Sequence, residues 1–126
     1  MNQIIKKNIK SDINLVNEVI GEILSLIDKN IGEDNLFDIR LILSELIINS
    51  IKHGNKCDIN KNTDISLYID DNFIEMSVGD EGDGFTYSRN LDACTFSDSG
   101  RGLLLVEGLS DMFIVCKNFI TSIKYI

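Results

Sequence analysis

The sequence predicts an α+β fold, a two-layer α/β sandwich in which about three helices cover one face of a mixed, mostly antiparallel sheet. Three observations lead to it: apolar residues recur at helical spacing in three segments, alternate with polar residues in two adjacent segments, and return in two segments that close the chain. The chain has 126 residues, 44% of them hydrophobic, and contains no proline or low-complexity tract. We therefore expect a single domain over residues 1–126.

The first half of the chain predicts an edge strand followed by two helices. Isoleucines within residues 4–9 indicate the strand. A first helix is expected to begin with Ser11 as N-cap and to end at Gly32. Its apolar face consists of Ile13, Val16, Ile20, Ile23, Leu24 and Ile27. A second helix is expected over residues 33–53, with Gly54 as its stop.

The second half predicts a hairpin, a long loop, a third helix and two more strands. Residues 65–69 and 74–78 alternate between apolar and polar side chains on either side of a short polar turn. Residues 79–102 are rich in Gly, Ser, Asp and Asn, and a loop of that length in a small domain is usually functional. A third helix is expected to start near Gly102, and strands at residues 112–117 and 120–126 complete the sheet.

Charge and cysteine content exclude several classes of protein. The net charge of -8 argues against nucleic acid or an anionic membrane as the main partner, because those are bound through Lys and Arg. No apolar run approaches the length of a membrane span, so we expect a cytoplasmic protein. The three cysteines, Cys57, Cys94 and Cys116, have no Cys-x-x-Cys spacing, which argues against disulfides and zinc. We expect them to be buried or half-buried.

The second helix carries two polar residues where apolar ones are expected. It is apolar almost all round, which is typical of a helix buried on more than one side. Glu45 and Asn49 are one turn apart and lie on the same face. From that face Glu45 can take a proton from an attacking hydroxyl or water, and Asn49 can offer an amide oxygen to Mg²⁺. The only histidine, His53, suits the negative end of the helix dipole.

A second motif, Asp-Glu-Gly-Asp-Gly at residues 80–84, directly follows a predicted strand. A fixed carboxylate at Asp80 can accept a hydrogen bond from an exocyclic amine such as that of adenine, and it rejects the carbonyl of guanine. Gly82 and Gly84 allow the backbone to approach a flat ring closely. Residues 97–102 lead into the third helix, whose free N–H groups suit phosphate.

Each of these motifs also has a simpler interpretation. Taken alone, the Asp-x-Gly-x-Gly pattern is more often a turn between strands than a nucleotide site, and a lone Glu45 is more often a solvated helix residue. The twelfth position of an EF-hand starting at Asp80 is Leu91, which excludes a bidentate Glu. No glycine leads a Gly-Lys-Ser/Thr run, and the glycines lack Rossmann spacing. The combination of motifs therefore favours a nucleotide site of another type.

Three runs, at residues 43–55, 78–85 and 100–106, resemble the boxes of the GHKL ATPase superfamily, in its order and at its spacing. The resemblance is closest to the small anti-sigma-factor serine/threonine protein kinases of Gram-positive bacteria. It implies the Bergerat ATP-binding fold, with ATP and Mg²⁺ as ligands. It also implies that Glu45 is the catalytic base, that Asn49 holds Mg²⁺ and that Asp80 binds the adenine amino group.

Further nucleotide-binding residues are implied by the same resemblance, most of them in the same boxes: His53, Gly82, Gly84, Gly100, Arg101, Gly102, Leu103 and Thr121. Gly82 and Gly84 would shape the nucleotide pocket, and Gly100, Arg101 and Gly102 would line the phosphates. Thr121 matches a threonine that the superfamily often places beside the aspartate, although the glycine that usually precedes it is missing here.

The resemblance implies a kinase that phosphorylates a serine or threonine of an anti-anti-sigma (antagonist) protein, acts as an anti-sigma factor toward a sigma factor, and forms a homodimer. A sensor histidine kinase would need a phospho-accepting His on a separate helical segment, which this sequence does not contain, so only an ATP-binding domain cut from such a kinase stays open as an interpretation of that class. The alternative is a nucleotide-gated protein-binding module that holds ATP and a partner without phosphotransfer. Glu45 discriminates between the two, because a pure binder needs no base.

Overall fold

Alternating apolar side chains build an antiparallel sheet in the described part of the chain. The computed structural model describes residues 2–82, 98–116 and 118–126. The strands found there are β1 (Gln3–Lys10), β2 (Asn62–Ile69), β3 (Phe73–Gly79), β4 (Met112–Cys116) and β5 (Phe119–Tyr125). They lie in the order β1-β2-β3-β5-β4, and every pairing between described strands is antiparallel. The predicted edge strand, hairpin and closing strands are confirmed.

Helices cover one face of this sheet, as predicted. Within the described residues they are α1 (Val16–Leu26), α2 (Glu33–Asn49) and α3 (Asp98–Leu109). Short 3₁₀ turns at Ile13–Leu15 and Lys29–Ile31 precede α1 and α2. A π-helical turn, Ser50–Gly54, continues α2 directly. Such turns are rare and occur frequently at functional sites.

Two predicted helix starts are wrong. Ser11 is not an N-cap: its buried hydroxyl donates to the Lys61 carbonyl at 2.8 Å, and the Asp12 carboxylate instead accepts the Asn14 N–H at 2.9 Å. Asp12 lies closer to the first turn and can reach its free N–H groups. The third helix begins at Asp98 and not near Gly102, so residues 100–102 belong to the helix itself.

The core lies between the sheet and the helices. The inward-facing residues of β2 and β3 interleave with apolar side chains of α1, α2 and α3, and the largest fully buried members are Ile23, Ile39, Ile42, Leu43, Leu46, Ile47, Ile51, Ile65, Leu67, Ile74, Met76 and Val106. The prediction for the cysteines is wrong where it can be compared, because Cys57 and Cys116 are exposed, whereas Cys94 is outside the described residues. None of the described helices combines the length and apolar character needed to cross a membrane.

Candidate functional site

Of the two polar residues predicted on one face of α2, Asn49 is buried and Glu45 is half-buried. Asn49 is 4% exposed, and neither its amide nitrogen nor its amide oxygen has a hydrogen-bond partner among the described residues. Leaving a buried polar group unpaired costs about 1–3 kcal/mol, so each such group in a folded protein needs an explanation. A ligand that completes this amide provides one.

Glu45 lies one turn before Asn49, where α3 packs against α2. A Cβ atom built on Gly102 would lie only 2.3 Å from Oε2 of Glu45 and 3.2 Å from its Cδ. The absence of a side chain at position 102 is therefore what allows the backbone of α3 to approach this carboxylate. The fold thus brings Glu45 and Gly102, two of the predicted site residues, next to each other.

Asp80 follows the last residue of β3 and is 9% exposed. One carboxylate oxygen, Oδ1, accepts the Gly82 N–H at 2.8 Å. Burial raises the pKa of Asp80 above its usual value, against the opposing effects of that hydrogen bond and of the positive charge of Lys61. A buried carboxylate with one oxygen already hydrogen-bonded can accept a further hydrogen bond from a ligand.

Two glycines bring the π-helical turn and Asp80 into contact. A Cβ on Gly54 would lie 2.0 Å from Oδ2 of Asp80, and a Cβ on Gly82 would lie 2.1 Å from the Gly54 carbonyl oxygen. Any larger residue at either position would displace the carboxylate or the turn. Because Gly54 ends the segment that begins with α2, one continuous stretch of chain reaches from Glu45 and Asn49 to Asp80.

Other predicted site residues lie elsewhere or outside the described part. His53 is exposed in the π-helical turn, and Leu103 is 2% exposed in the hydrophobic core. The Thr121 hydroxyl bonds to that of Ser77 at 2.8 Å. These two hydroxyls lie on the sheet face turned away from the helices, since their neighbours along each strand are the buried ones.

Three predicted residues lie wholly or partly outside the described part of the chain. Gly84 is outside the described residues. Gly100 and Arg101 lie in the first turns of α3, and their surroundings are likewise outside the described part. The predicted contact of this helix end with phosphate stays a prediction.

Three residues of the site were missed by the sequence interpretation. Gly54 and Asn55 were placed at the end of a helix and in the run that resembles the first box, but neither was given a role in the site, although a glycine is what a close backbone contact requires. Asn118 donates from its amide to the carbonyls of Asp80 (3.0 Å) and Gly82 (3.1 Å). It lies in the turn between β4 and β5, and no signal in the sequence relates it to Asp80.

The described site therefore has two halves joined by the end of α2. One half contains the Glu45 carboxylate and the Asn49 amide, which has no hydrogen-bond partner among the described residues. A carboxylate can accept a proton, and an amide oxygen can bind a divalent cation. The other half contains a buried acceptor, Asp80, on a backbone fixed by hydrogen bonds. These are the types of group that a ligand with a polar ring at one end and metal-bound phosphates at the other would need.

Comparison with known proteins agrees with this description. A protein-family profile described as the histidine kinase-like ATPase domain matches residues 9–118. The chain is similar to the anti-sigma F factor of Geobacillus stearothermophilus, with 32% identity over 88 residues, which covers 65% of this chain and 60% of that protein.

Two serine-protein kinases named RsbW are also similar. The Bacillus subtilis (strain 168) protein is 31% identical over 88 residues, covering 62% of this chain and 55% of that protein. The Staphylococcus aureus (strain MSSA476) protein is 29% identical over 108 residues, covering 74% and 67%. The chain thus spans about 60% of the length of the anti-sigma F factors it matches.

Proposed function

Because the chain belongs to the histidine kinase-like ATPase domain family, we propose that it is an ATP- and Mg²⁺-dependent protein kinase that phosphorylates a serine or threonine of a small anti-sigma-factor antagonist. In the same proposal the protein acts as an anti-sigma factor, binds a sigma factor and forms a homodimer. The names of its relatives, anti-sigma F factor and serine-protein kinase RsbW, support this choice of partners and of reaction.

The observation that carries the proposal is the buried amide of Asn49. It has no partner within the described residues, it lies one turn from Glu45, and it is on the segment that also reaches Asp80 through Gly54. A scaffold that had lost its ligand would have no reason to keep a buried polar group at this cost. The donor set fits Mg²⁺, which is bound through few protein oxygens together with substrate phosphates.

Each residue has a distinct role in the proposed reaction. Asp80 accepts a hydrogen bond from the adenine amino group, and the Asn49 amide oxygen binds Mg²⁺. The metal ion, when bound, neutralises charge on the phosphates. The hydroxyl oxygen of the substrate attacks the γ-phosphorus, its proton passes to the Glu45 carboxylate, and the bond to the β-phosphate oxygen breaks so that ADP leaves with the electron pair.

The test separates nucleotide binding from phosphate transfer through a substitution that replaces one carboxylate oxygen of Glu45 by an amide nitrogen. Glu45→Gln keeps the size of the side chain and removes its basicity. We expect the variant to bind Mg·ATP within about threefold of the wild type and to transfer phosphate to a co-purified antagonist at least about 100-fold more slowly. Binding is measured by titration calorimetry, with Mg·GTP for comparison, and transfer by γ-labelled ATP. Glu75→Gln, on the outer face of β3, is the matched control and should change neither quantity.

Two results would contradict the proposal. Equal transfer by the wild type and Glu45→Gln would remove Glu45 as the base. Tight Mg·ATP binding without any transfer by the wild type would favour the alternative, a nucleotide-gated binding module that has no kinase activity.

A further inference from the structure

A buried cluster of four polar side chains lies between the end of α2 and the start of β2. Its members are Ser11, Ser50, Asn55 and Thr63, and each is at most 3% exposed. Buried polar groups are generally hydrogen-bonded, and here the bonds run among the members and to nearby backbone. We call these residues the buried polar cluster.

Asn55 is the centre of the buried polar cluster, and it is fully buried. Its amide nitrogen donates to the Ser11 hydroxyl at 2.6 Å and to the Asn62 carbonyl at 2.9 Å, with the Thr63 hydroxyl at 3.4 Å. Its amide oxygen accepts the Glu81 N–H at 2.8 Å. One side chain therefore connects the end of β1, the start of β2 and the segment that follows β3.

Two bonds of the cluster reach the peptide groups on either side of Asp80. Asn55 holds the Glu81 N–H, and the Ser50 hydroxyl donates to the Gly79 carbonyl at 3.4 Å. The Glu81 carboxylate in turn accepts the Asn62 N–H. The backbone from which the Asp80 carboxylate projects is thus fixed on the side of the helices.

Asn118 fixes the same backbone from the opposite side. Its carbonyl accepts the Asp80 N–H at 3.0 Å, and its amide donates to the carbonyls of Asp80 and Gly82. With both sides held, the direction of the Asp80 side chain is set by groups that are themselves at a distance from its carboxylate. Preorganised acceptors of this kind bind a ligand donor without a further ordering cost.

We propose that Asn55 is a positioning residue for nucleotide binding: it does not touch the nucleotide, but it fixes the Glu81 peptide and so aims the Asp80 carboxylate at the adenine amino group. This inference rests on the proposed function and explains how the adenine half of the site is kept in place. It also assigns Ser50 a weaker role of the same kind, through the Gly79 carbonyl.

The experiment measures Mg·ATP affinity and stability in matched variants. Asn55→Ala frees the Glu81 N–H, and we expect its dissociation constant for Mg·ATP to rise about tenfold or more. Asn55→Asp keeps an oxygen for the Glu81 N–H but places a carboxylate against the Asn62 carbonyl. It should be at most as stable as Asn55→Ala and yet bind Mg·ATP more tightly, which a purely structural role would not produce.

A second pair decides the question if both Asn55 variants fail to fold. Ser50→Ala removes the bond to the Gly79 carbonyl, whereas Ser122→Ala removes a similarly buried hydroxyl of β5 that bonds to Ser110 and not to the segment around Asp80. We expect Mg·ATP affinity to fall about threefold or more in Ser50→Ala and to stay within the error in Ser122→Ala, at similar losses of stability.

The outcomes are distinguishable from failure of the proposed function. If the wild type does not bind Mg·ATP at millimolar concentration, the proposed function is wrong, and the inference falls with it. If the wild type binds but a folded Asn55→Ala binds equally tightly, only the inference is overturned. Equal losses of affinity in Ser50→Ala and Ser122→Ala would also overturn it, because they would show a general effect of stability.

Discussion

Two buried asparagines at the end of α2, Asn49 and Asn55, have opposite surroundings. Asn55 is fully buried, and its amide nitrogen and oxygen are both hydrogen-bonded. Asn49 is almost as buried, and its nitrogen and oxygen have no partner in the described part of the chain. Since the two side chains are chemically identical, only the position of each in the fold creates the difference.

The fold completes the hydrogen bonds of the Asn55 amide, whereas it leaves the Asn49 amide unpaired among the described residues, as the proposed ligand site requires. A saturated amide such as that of Asn55 contributes to stability by joining distant segments, whereas an unpaired one such as that of Asn49 subtracts from it. Binding sites are regions where a folded protein tolerates such a cost, because the group is needed in another state. Asn49 and Asn55 should therefore respond oppositely to the same substitution.

The largest effect is expected when each asparagine is replaced by leucine, which has a similar size. Asn55→Leu should lower the free energy of unfolding by about 3 kcal/mol or more, because it breaks several bonds and leaves the Glu81 N–H and Asn62 carbonyl unpaired. Asn49→Leu should be neutral or raise it by about 1 kcal/mol, because it removes an unpaired amide. Urea denaturation without nucleotide measures both.

An exposed asparagine provides the reference for this pair. Asn60→Leu, in the turn before β2, should change stability by no more than about 0.5 kcal/mol. A loss in Asn49→Leu as large as that in Asn55→Leu would show that Asn49 stabilises the ligand-free fold. The contrast between the two asparagines would then be broken.

Ligand binding should produce the next largest effect, and of the two asparagines only Asn49 is expected to contact the ligand directly. If Mg·ATP completes the Asn49 amide, a concentration of 100 times the dissociation constant should stabilise the wild type by about 2.7 kcal/mol. Asn49→Leu should lose most of this gain at the same concentration. Thermal denaturation at increasing Mg·ATP concentration measures this gain in stability. Removal of Mg²⁺ with a chelator should reduce the gain of the wild type to that of Asn49→Leu. Equal gains with and without Asn49 would exclude it as a ligand to the metal.

The sequence predicts most of the fold because its signals are local. Alternation in β2 and β3 and helical spacing in α1 and α2 follow from which side chains face one core. The sequence does not predict the different roles of Asn49 and Asn55, because both are amides near the same helix end. Their difference depends on Ser11, Asn62 and Glu81, which come from three separate segments. No local pattern records that convergence.

Element boundaries show the same limit. Residues 97–102 contain serine and glycine, which favour loops, and yet the helix begins at Asp98. Ser11 is of a residue type that favours N-caps, but its hydroxyl donates a hydrogen bond to the carbonyl of Lys61, fifty positions along the chain. In both cases contacts distant in sequence decide against the local preference.

An intermediate effect is expected at Gly102, where a helix approaches the Glu45 carboxylate. In Gly102→Ala the new Cβ would lie 2.3 Å from Oε2, so the end of this flexible side chain must move. We expect phosphate transfer to fall about tenfold or more while stability changes by less than about 1 kcal/mol. A γ-labelled ATP assay and urea denaturation measure the two effects.

A second glycine of α3 is the matched control. A Cβ on Gly108 would meet no atom within 4 Å, and alanine is the better helix former by up to about 1 kcal/mol. Gly108→Ala should therefore be slightly more stable and should transfer phosphate at the wild-type rate. Equal rates for Gly102→Ala and Gly108→Ala would show that the position of Glu45 is not set by α3.

The smallest effect concerns Asp80, which is intermediate between the two asparagines: it accepts a hydrogen bond from Gly82 and still carries a buried charge. Burial raises the pKa of Asp80, so the folded state holds the proton more tightly than the unfolded state. The contribution of Asp80 to the free energy of unfolding is then most favourable below the ordinary Asp pKa of about 3.9, and it decreases as the pH rises through the raised value.

Asp80→Asn removes this loss and keeps an oxygen for the Gly82 N–H. At pH 7 it should be slightly more stable than the wild type, by a margin that shrinks as the pH falls toward 3.5, while its affinity for Mg·ATP decreases. A margin that grows toward low pH, measured by urea denaturation, would mean that the charge of Asp80 stabilises the fold, as the bonds of Asn55 do.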